Sequence, residues 1–331
     1  MFRALKLGDL LVAVPALRAL RAALPAAEIT LVGLPWAREF VDRYSPYVDA
    51  FAEFPGHPGL PEREPRLDRL PGFLADMRAR RFDLAIQLHG SGPIVNPLVL
   101  QFRARRTAGF YLPGDDCPDP DWFLPWPAAG LELRRLLQLT EFIGAPARGE
   151  FLEFPLRDRD ERAARTALPP RPGPYACVHP GASVPERRWP ADRFAAVADA
   201  LTARGLAIVL TGTAAEAGLT GEVSDRMTHP AINLAGLTDL GATAAVLRRA
   251  RLLVCNDTGV SHLAAAVRTP SVVISTGDNP ARWGPTDRAR HRVLCRPGGV
   301  RAAEVLAAAR QLLATFDPAR TEATACAGSA S

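Results

Sequence analysis

The chain has 331 residues, too long for one compact core and comfortable for two domains of roughly 150 residues each. Hydrophobic content of 48% with 23% charged residues is ordinary for a folded soluble protein, and no window approaches the roughly 18 uninterrupted apolar residues of a membrane span. The formal charge of +5 comes from dispersed arginines accompanied by many acids, not from a basic run interleaved with aromatics, which argues against a nucleic-acid partner.

The opening stretch MFRALKLGDLLVAVPALRAL is apolar enough to raise the question of a signal peptide. Asp9 interrupts it and no clean cleavage site follows, so it reads as folded, cytoplasmic protein. FRALKL is expected as a strand, followed by a helix from about Asp9 to Leu24 in which Pro15 makes a kink, because Leu17, Leu20 and Leu24 keep the helical spacing. EITLVG and FDLAIQL read as further strands and WAREFVDRY as a helix, a βαβ rhythm that predicts a parallel sheet. The stretches at 52–72 and 112–130 are dense in Pro, Gly and Asp and read as long surface loops.

The charged stretch RDRDERAARTA and the breaker cluster LPPRPGP at 168–174 place a boundary between about 155 and 173, giving domains at 1–160 and 161–316. The second half repeats the rhythm. Strands are expected at YACVHPG, LAIVLTG, INLAG, RLLVCN and SVVIST, with helices at ADRFAAVADALTAR, closed by Gly205, at LGATAAVLRRA and at VRAAEVLAAARQLLATF. The tail at 317–331 is small, polar and expected to be disordered.

The five cysteines are scattered and form no C-x-x-C pair, so neither a disulfide framework nor a zinc site is indicated. His89 and His179 follow strands on opposite sides of the boundary without metal-ligand spacing. DPD at 119–121 and DRD at 158–160 are read as solvated surface, in a proline-rich loop and a charged linker respectively. No metal and no cofactor is expected.

In an open parallel sheet the ligand sits beyond the carboxyl ends of the strands. The residues there include Gly8-Asp9, His89, His179-Pro-Gly-Ala-Ser183, Thr211-Gly212 and Asn256-Asp-Thr-Gly259. The second-half segments are rich in Gly, Ser and Thr, which lets backbone N–H groups approach phosphate at helix N-termini and suggests a nucleotide-containing ligand. Neither G-x-G-x-x-G nor G-x-x-x-x-G-K-[ST] occurs at a strand-to-helix turn, so the main supports for a dinucleotide oxidoreductase or a P-loop NTPase are missing. Lys6 is the only lysine, so a cation at such a phosphate site would be arginine.

GDLLVAVPALRAL near the N-terminus, HPGAS…RRWP…RF at 179–194, TG…E at 211–216 and NDTGVSHLAAA…TPSVV at 256–273 together resemble glycosyltransferase family 9, whose best-known members are ADP-heptose:lipopolysaccharide heptosyltransferases. The resemblance runs from Leu7 to about Trp283. It implies an α/β chain of the GT-B fold, two Rossmann-like domains facing across a cleft, with the acceptor held mainly by the first and the nucleotide-sugar donor mainly by the second. It further implies an inverting, metal-independent transfer of a sugar, heptose first, from a donor such as ADP-heptose to a hydroxyl of a glycan or small-molecule acceptor.

Asp9 matches the family's catalytic aspartate and would act as general base, although its residue type alone favours a helix cap. Arg188, where the family often carries lysine, would bind the donor diphosphate; the adjacent Arg187 is the alternative. Thr211 and Gly212 would border the donor, and Glu216 is either a sugar-hydroxyl ligand or a helix-start acid. Asp257 would accept sugar hydroxyls, Thr258 and Gly259 would face the diphosphate, and His262 would touch the donor or orient Asp257. Gly8 and His89 are candidate acceptor contacts. A lipid-linked acceptor would bring the enzyme to the inner face of the cytoplasmic membrane, with peripheral contact at most. A sugar-nucleotide epimerase of the same fold and a non-catalytic nucleotide-sugar-binding protein are the alternatives.

Overall fold

The computed structural model describes residues 1–277 and 279–316; the tail at 317–331 and Cys326 lie outside the described residues. The chain divides into two compact units, Met1–Glu150 and Phe151 onward, earlier than the 160/161 division read from the sequence.

In the first unit the elements run α1 (Leu7–Leu11), α2 (Val14–Ala23), β1 (Thr30–Gly33), α3 (Ala37–Arg43), β2 (Ala50–Glu53), α4 (Leu70–Ala79), β3 (Leu84–Ile86), α5 (Val95–Leu100), β4 (Arg106–Tyr111), β5 (Phe123–Pro125) and α6 (Glu132–Phe142). β1 pairs with β2, and β3, β4 and β5 pair in that order, all parallel. The strand expected at FRALKL contracts to the extreme N-terminus, yet it joins the two sheets. The Phe2 N–H donates to the Ile86 carbonyl, the Leu88 N–H to Phe2, the Arg3 N–H to Val32 and the Val32 N–H to Met1. With that segment counted, the order β2-β1-N-terminus-β3-β4-β5 reverses beside the N-terminal strand. Phe2, Val32, Phe54, Met77, Leu98 and Phe102 form the core on one sheet face.

The helix expected from Asp9 to Leu24 is two helices. Pro15 has no N–H to give the Leu11 carbonyl and its ring crowds that group, so α1 stops at Leu11, the Ala13 N–H closes a tighter turn on Leu10, and α2 restarts with Pro15 in its first turn. Both Pro-rich stretches read as loops hold strand at one end or inside. β2 runs to Glu53, and Phe123–Pro125 pairs with Gly109–Tyr111, with Phe123 buried.

The second unit contains α7 (Asp158–Ala167), β6 (Tyr175–His179), α8 (Ala191–Thr202), β7 (Ala207–Leu210), α9 (Ala217–Arg226), β8 (Ile232–Asn233), α10 (Leu240–Arg249), β9 (Leu252–Asn256), α11 (Gly259–Ala266), β10 (Ser271–Ile274), α12 (Pro280–Trp283), β11 (His291–Leu294) and α13 (Ala302–Thr315). Its parallel sheet has the order β8-β7-β6-β9-β10-β11. Val178, Leu210, Val254 and Ile274 sit in one core with Phe194, Val197, Val305 and Leu312 from α8 and α13, and Cys177, Val209, Leu253 and Val273, which alternate with them, are buried too, so the strands are apolar throughout as the continuous runs predicted. Gly205, in the left-handed region at φ 83°, lets the Leu206 N–H reach back to the Leu201 carbonyl and ends α8.

The segment RDRDERAARTA is a helix, not a solvated linker. α7 packs on α10, Glu161 pairs with Arg249 at 2.5 Å, and Asp160 is 1% exposed, its carboxylate accepting the Arg157 N–H at 2.9 Å. DRD at 158–160 is therefore corrected: its last carboxylate is a buried helix-start acid. In DPD, Asp119 folds an Asx turn onto the Asp121 N–H and leads into β5, with Asp121 exposed.

Candidate active site

In both units the strand order reverses once, and at such a switch point the two neighbouring strands send their connections to opposite sheet faces and leave a crevice at their carboxyl ends. Segments far apart in the sequence meet there. In the second unit they follow β6 and β9. Asn256, wholly buried at the end of β9, accepts the Trp189 N–H at 2.9 Å and donates to the Pro180 carbonyl at 2.7 Å and the Gly181 carbonyl at 3.3 Å, binding NDTG to HPGAS. The Asp257 N–H completes the sheet on Ile274, so this peptide is spoken for. Thr258 is the extended N-cap of α11, and its carbonyl accepts from the Ser261 N–H and hydroxyl. Helix geometry then leaves the first N–H groups, those of Gly259 and Val260, without intrahelical acceptors.

His179 ends β6 and is held from both sides: Nδ1 lies 3.1 Å from the Thr211 hydroxyl, and Nε2 lies 3.9 Å from Glu216. Burial lowers its pKa and Glu216 opposes that. Glu216 itself accepts the Thr213 N–H at 2.8 Å and hydroxyl at 2.9 Å, a capping box at the helix start, while a Cβ on Gly181 would overlap its carboxylate. Of the two readings open for this residue, the helix-start role is the one with visible partners. Gly212 lies beside it, where a Cβ would meet that of Glu216 at 3.3 Å.

Arg188 is half-buried and its guanidinium turns onto the Ala182 carbonyl, Nη2 at 3.3 Å and Nε at 3.4 Å, which draws it to the HPGAS loop. Arg187 is half-buried as well. His262 is buried in α11 and, with Asp257, Ser271, Trp283, Gly284 and His291, lines a small recess beside the NDTG turn. Burial holds the pKa of His262 at about 4 and that of His291 at about 4, His291 also bonding the Ser271 hydroxyl at 2.8 Å. His291 was not anticipated, because HRVL was not read as a strand.

In the first unit the switch point lies between the N-terminal strand and β3. Gly8 is buried in α1, and Asp9 is half-buried with one carboxylate oxygen accepting the Lys6 N–H at 3.2 Å. Burial raises its pKa above the ordinary carboxylate range; Arg3 works against this, Glu132 adds to it, and the Lys6 N–H and His89 oppose it. His89 follows β3, is 6% exposed, stacks on Phe2 at 5.5 Å between ring centroids, and has Nε2 3.7 Å from Glu62. Asp9 and His89, separated by a whole βαβαβ passage in the chain, thus share one charged neighbourhood. Arg3, Glu62, Glu132 and Arg135 complete it and went unread. Arg3 sits inside an apolar strand and Glu132 in an ordinary helix first turn, where a surface assignment is the default.

Among the described residues no group of three or more His, Cys, Asp or Glu side chains is placed to hold a metal ion, and no helix is long and apolar enough to cross a membrane.

Two units of parallel sheet, each with polar residues gathered at its switch point, define an α/β protein of the GT-B type. The chain belongs to glycosyltransferase family 9 (heptosyltransferase), whose model matches residues 126–298, more than half of its length. It is 33% identical over 112 residues to lipooligosaccharide heptosyltransferase 2 of Haemophilus ducreyi, covering 32% of this chain and 30% of that protein. It is 32% identical over 114 residues to lipopolysaccharide heptosyltransferase 3 of Escherichia coli, covering 34% and 33%. The aligned part therefore spans about a third of these curated relatives. The fold extends further: a family 9 glycosyl transferase from Veillonella parvula superposes with TM-score 0.79 at 23% identity over 95% of this chain and 96% of that one. The ADP-heptose lps heptosyltransferase II of E. coli superposes with 0.75 at 21% over 95% and 98%. Asp9 lies outside the family match, so its role rests on the site's own chemistry.

Proposed function

We propose that this protein is an inverting glycosyltransferase that needs no metal and transfers heptose from ADP-heptose to a hydroxyl of a glycan acceptor, with Asp9 as general base. The observation that carries this reading is Asp9 itself: a half-buried carboxylate with a raised pKa, at the carboxyl end of the central strand of a parallel sheet, in a chain of family 9. A carboxylate whose pKa lies nearer neutrality is a stronger base in the transition state than an ordinary one. The acceptor oxygen would bond to the anomeric carbon while the bond from that carbon to the diphosphate oxygen breaks. The proton goes to Asp9, the electron pair to ADP, and the configuration inverts.

The second unit would hold the donor. The start of α11 supplies N–H groups and a positive dipole end to the diphosphate, with Thr258 and Gly259 closest in sequence to it. Arg188, at the lip of the HPGAS loop, would match the charge left on ADP, with Arg187 beside it; Asp257 would accept sugar hydroxyls, Thr211, Gly212 and Glu216 would border the nucleotide, and His262, kept neutral by burial, would steady Asp257. Gly8 and His89 would border the acceptor. The solved E. coli heptosyltransferase with ADP, at 18% identity, supports an ADP-type ligand for this fold. A lipid-linked acceptor would bring the protein to the inner face of the cytoplasmic membrane; no nucleic acid is involved.

The test is turnover of ADP-heptose with a truncated lipopolysaccharide core, with and without EDTA. Heptose transfer that persists in EDTA and is lost in Asp9→Asn supports the reading. Transfer abolished by EDTA would remove metal independence; an altered nucleotide sugar would point to an epimerase, and ADP-heptose binding without product over many acceptors to a binding protein.

A further inference from the structure

Among the described residues Arg3 is the largest fully buried side chain, and a guanidinium withdrawn from water needs partners for its donors. It finds them on both sides of the switch point. Nε donates to the backbone carbonyl of Asp9 at 2.7 Å, Nη1 donates to the carbonyl of Leu88, which precedes His89, and Nη2 lies 3.4 Å from Glu132. One planar fork thus ties the turn carrying Asp9 to the end of β3 and to the first turn of α6.

Glu132, 1% exposed, reaches Arg135 with its other oxygen at 3.5 Å, and Arg135 lies over the Trp126 ring at 4.8 Å with its Nε buried and unbonded. Two guanidinium groups against one carboxylate leave a positive charge over, in surroundings where an unmatched charge is costly. The groups facing Asp9 are Arg3, Glu132, His89 and the Lys6 N–H, and His89 has Glu62 at 3.7 Å as its own partner. Asp9 is the carboxylate whose charge Arg3 favours and Glu132 opposes.

We infer that Arg3 and Glu132, with Arg135 behind them, are the positioning residues of Asp9: they fix its backbone at the switch point and set the charge around its carboxylate, Arg3 favouring the ionised form and Glu132 resisting it. This rests on Asp9 being the base. Arg3 acts by geometry as well as charge, since a lysine has no rigid fork with which to bridge two carbonyls. Glu132 orients Arg3 and, as a carboxylate, resists the ionisation of Asp9, so the cluster holds the aspartate charged without making it a weak base.

The experiment titrates the Asp9 carboxyl by carbon NMR in the full chain, its resonance assigned by loss in Asp9→Asn, alongside the pH profile of transfer. In Glu132→Gln the Asp9 midpoint falls and the acid limb of kcat/KM moves down with it. In Arg3→Lys, which keeps the charge and loses the fork, kcat falls about tenfold or more at unchanged donor KM. A cooperatively melting Glu132→Gln protein with an unmoved Asp9 midpoint, or Arg3→Lys with wild-type kcat, overturns the inference; where Glu132→Gln does not fold, Arg3→Lys decides. Full transfer by Asp9→Asn together with a shifted midpoint in Glu132→Gln overturns the base assignment instead, and leaves the electrostatic hold on Asp9 standing.

Discussion

At the scale of single residues the chemistry of the first unit turns on Asp9, a carboxylate placed where water is scarce. If Asp9 takes the acceptor proton, Asp9→Asn lowers kcat by roughly 10²-fold or more with donor KM unchanged, which initial rates at saturating acceptor will read. The acid limb of kcat/KM in the parent protein lies above the ordinary carboxylate range, because burial raises the Asp9 pKa and only the ionised form accepts a proton. Activity is lost as pH falls through that raised value. Asn256 belongs to the same scale. Its side chain satisfies one N–H and two carbonyls in a dry interior, so Asn256→Ala strands them and costs about 2–3 kcal/mol in chemical denaturation. Asn256 stood in the motif from the start, but its role as the clasp between NDTG and HPGAS needed the partner strand.

Helices and strands set the next level, where the sequence read well wherever one physical signal dominated. The apolar runs of β6, β7, β9 and β10 fall where expected, since strands covered on both faces must be apolar throughout. α7 was missed because charge density hid its short buried stripe at Asp160 and Ala164, and α1 and α2 were merged because leucine spacing outweighed the missing N–H of Pro15. The capping box at Thr213 and Glu216 yields a discriminating prediction. Glu216→Ala costs about 0.5–2 kcal/mol of stability as a lost cap, and leaves ADP affinity within about twofold if capping is its whole role; calorimetric titration with ADP separates this from a ligand role. Gly181→Ala drives a methyl group into the Glu216 carboxylate, so it lowers the melting temperature and loosens the HPGAS loop together.

Over the whole molecule, protons link stability to pH. His262 and His291 are held at about 4 in the fold against 6.5 when exposed, and His179 moves in the same direction. As pH drops below about 6.5 the unfolded chain takes up protons that the folded one refuses, and the deficit grows until pH reaches about 4. Stability therefore falls through this window by on the order of a few kcal/mol for the pair, softened by Asp9, whose raised pKa has the opposite sign. Melting temperatures measured from pH 7 to pH 4 will show the fall, and His291→Asn will flatten it. A flat profile in the parent protein would contradict the buried, neutral histidines.

Local chemistry written into the chain determined much of this protein: βαβ rhythm, two halves, a Gly- and Thr-rich helix start after β9, and Asp9 at the first strand-to-helix turn. These are properties of neighbours in sequence, set by periodicity, turn propensity and the missing N–H of proline. Only the tertiary structure decided which distant residues meet. Parallel strands are joined by crossovers, so adjacent strand ends come from far-apart segments: Arg3 reaches Leu88 and Glu132, and Asn256 reaches Pro180 and Gly181. A buried arginine within an apolar run carries no local mark of its distant partners, because beyond the nearby Asp9 carbonyl the groups that hold it are supplied by the chain more than eighty residues later.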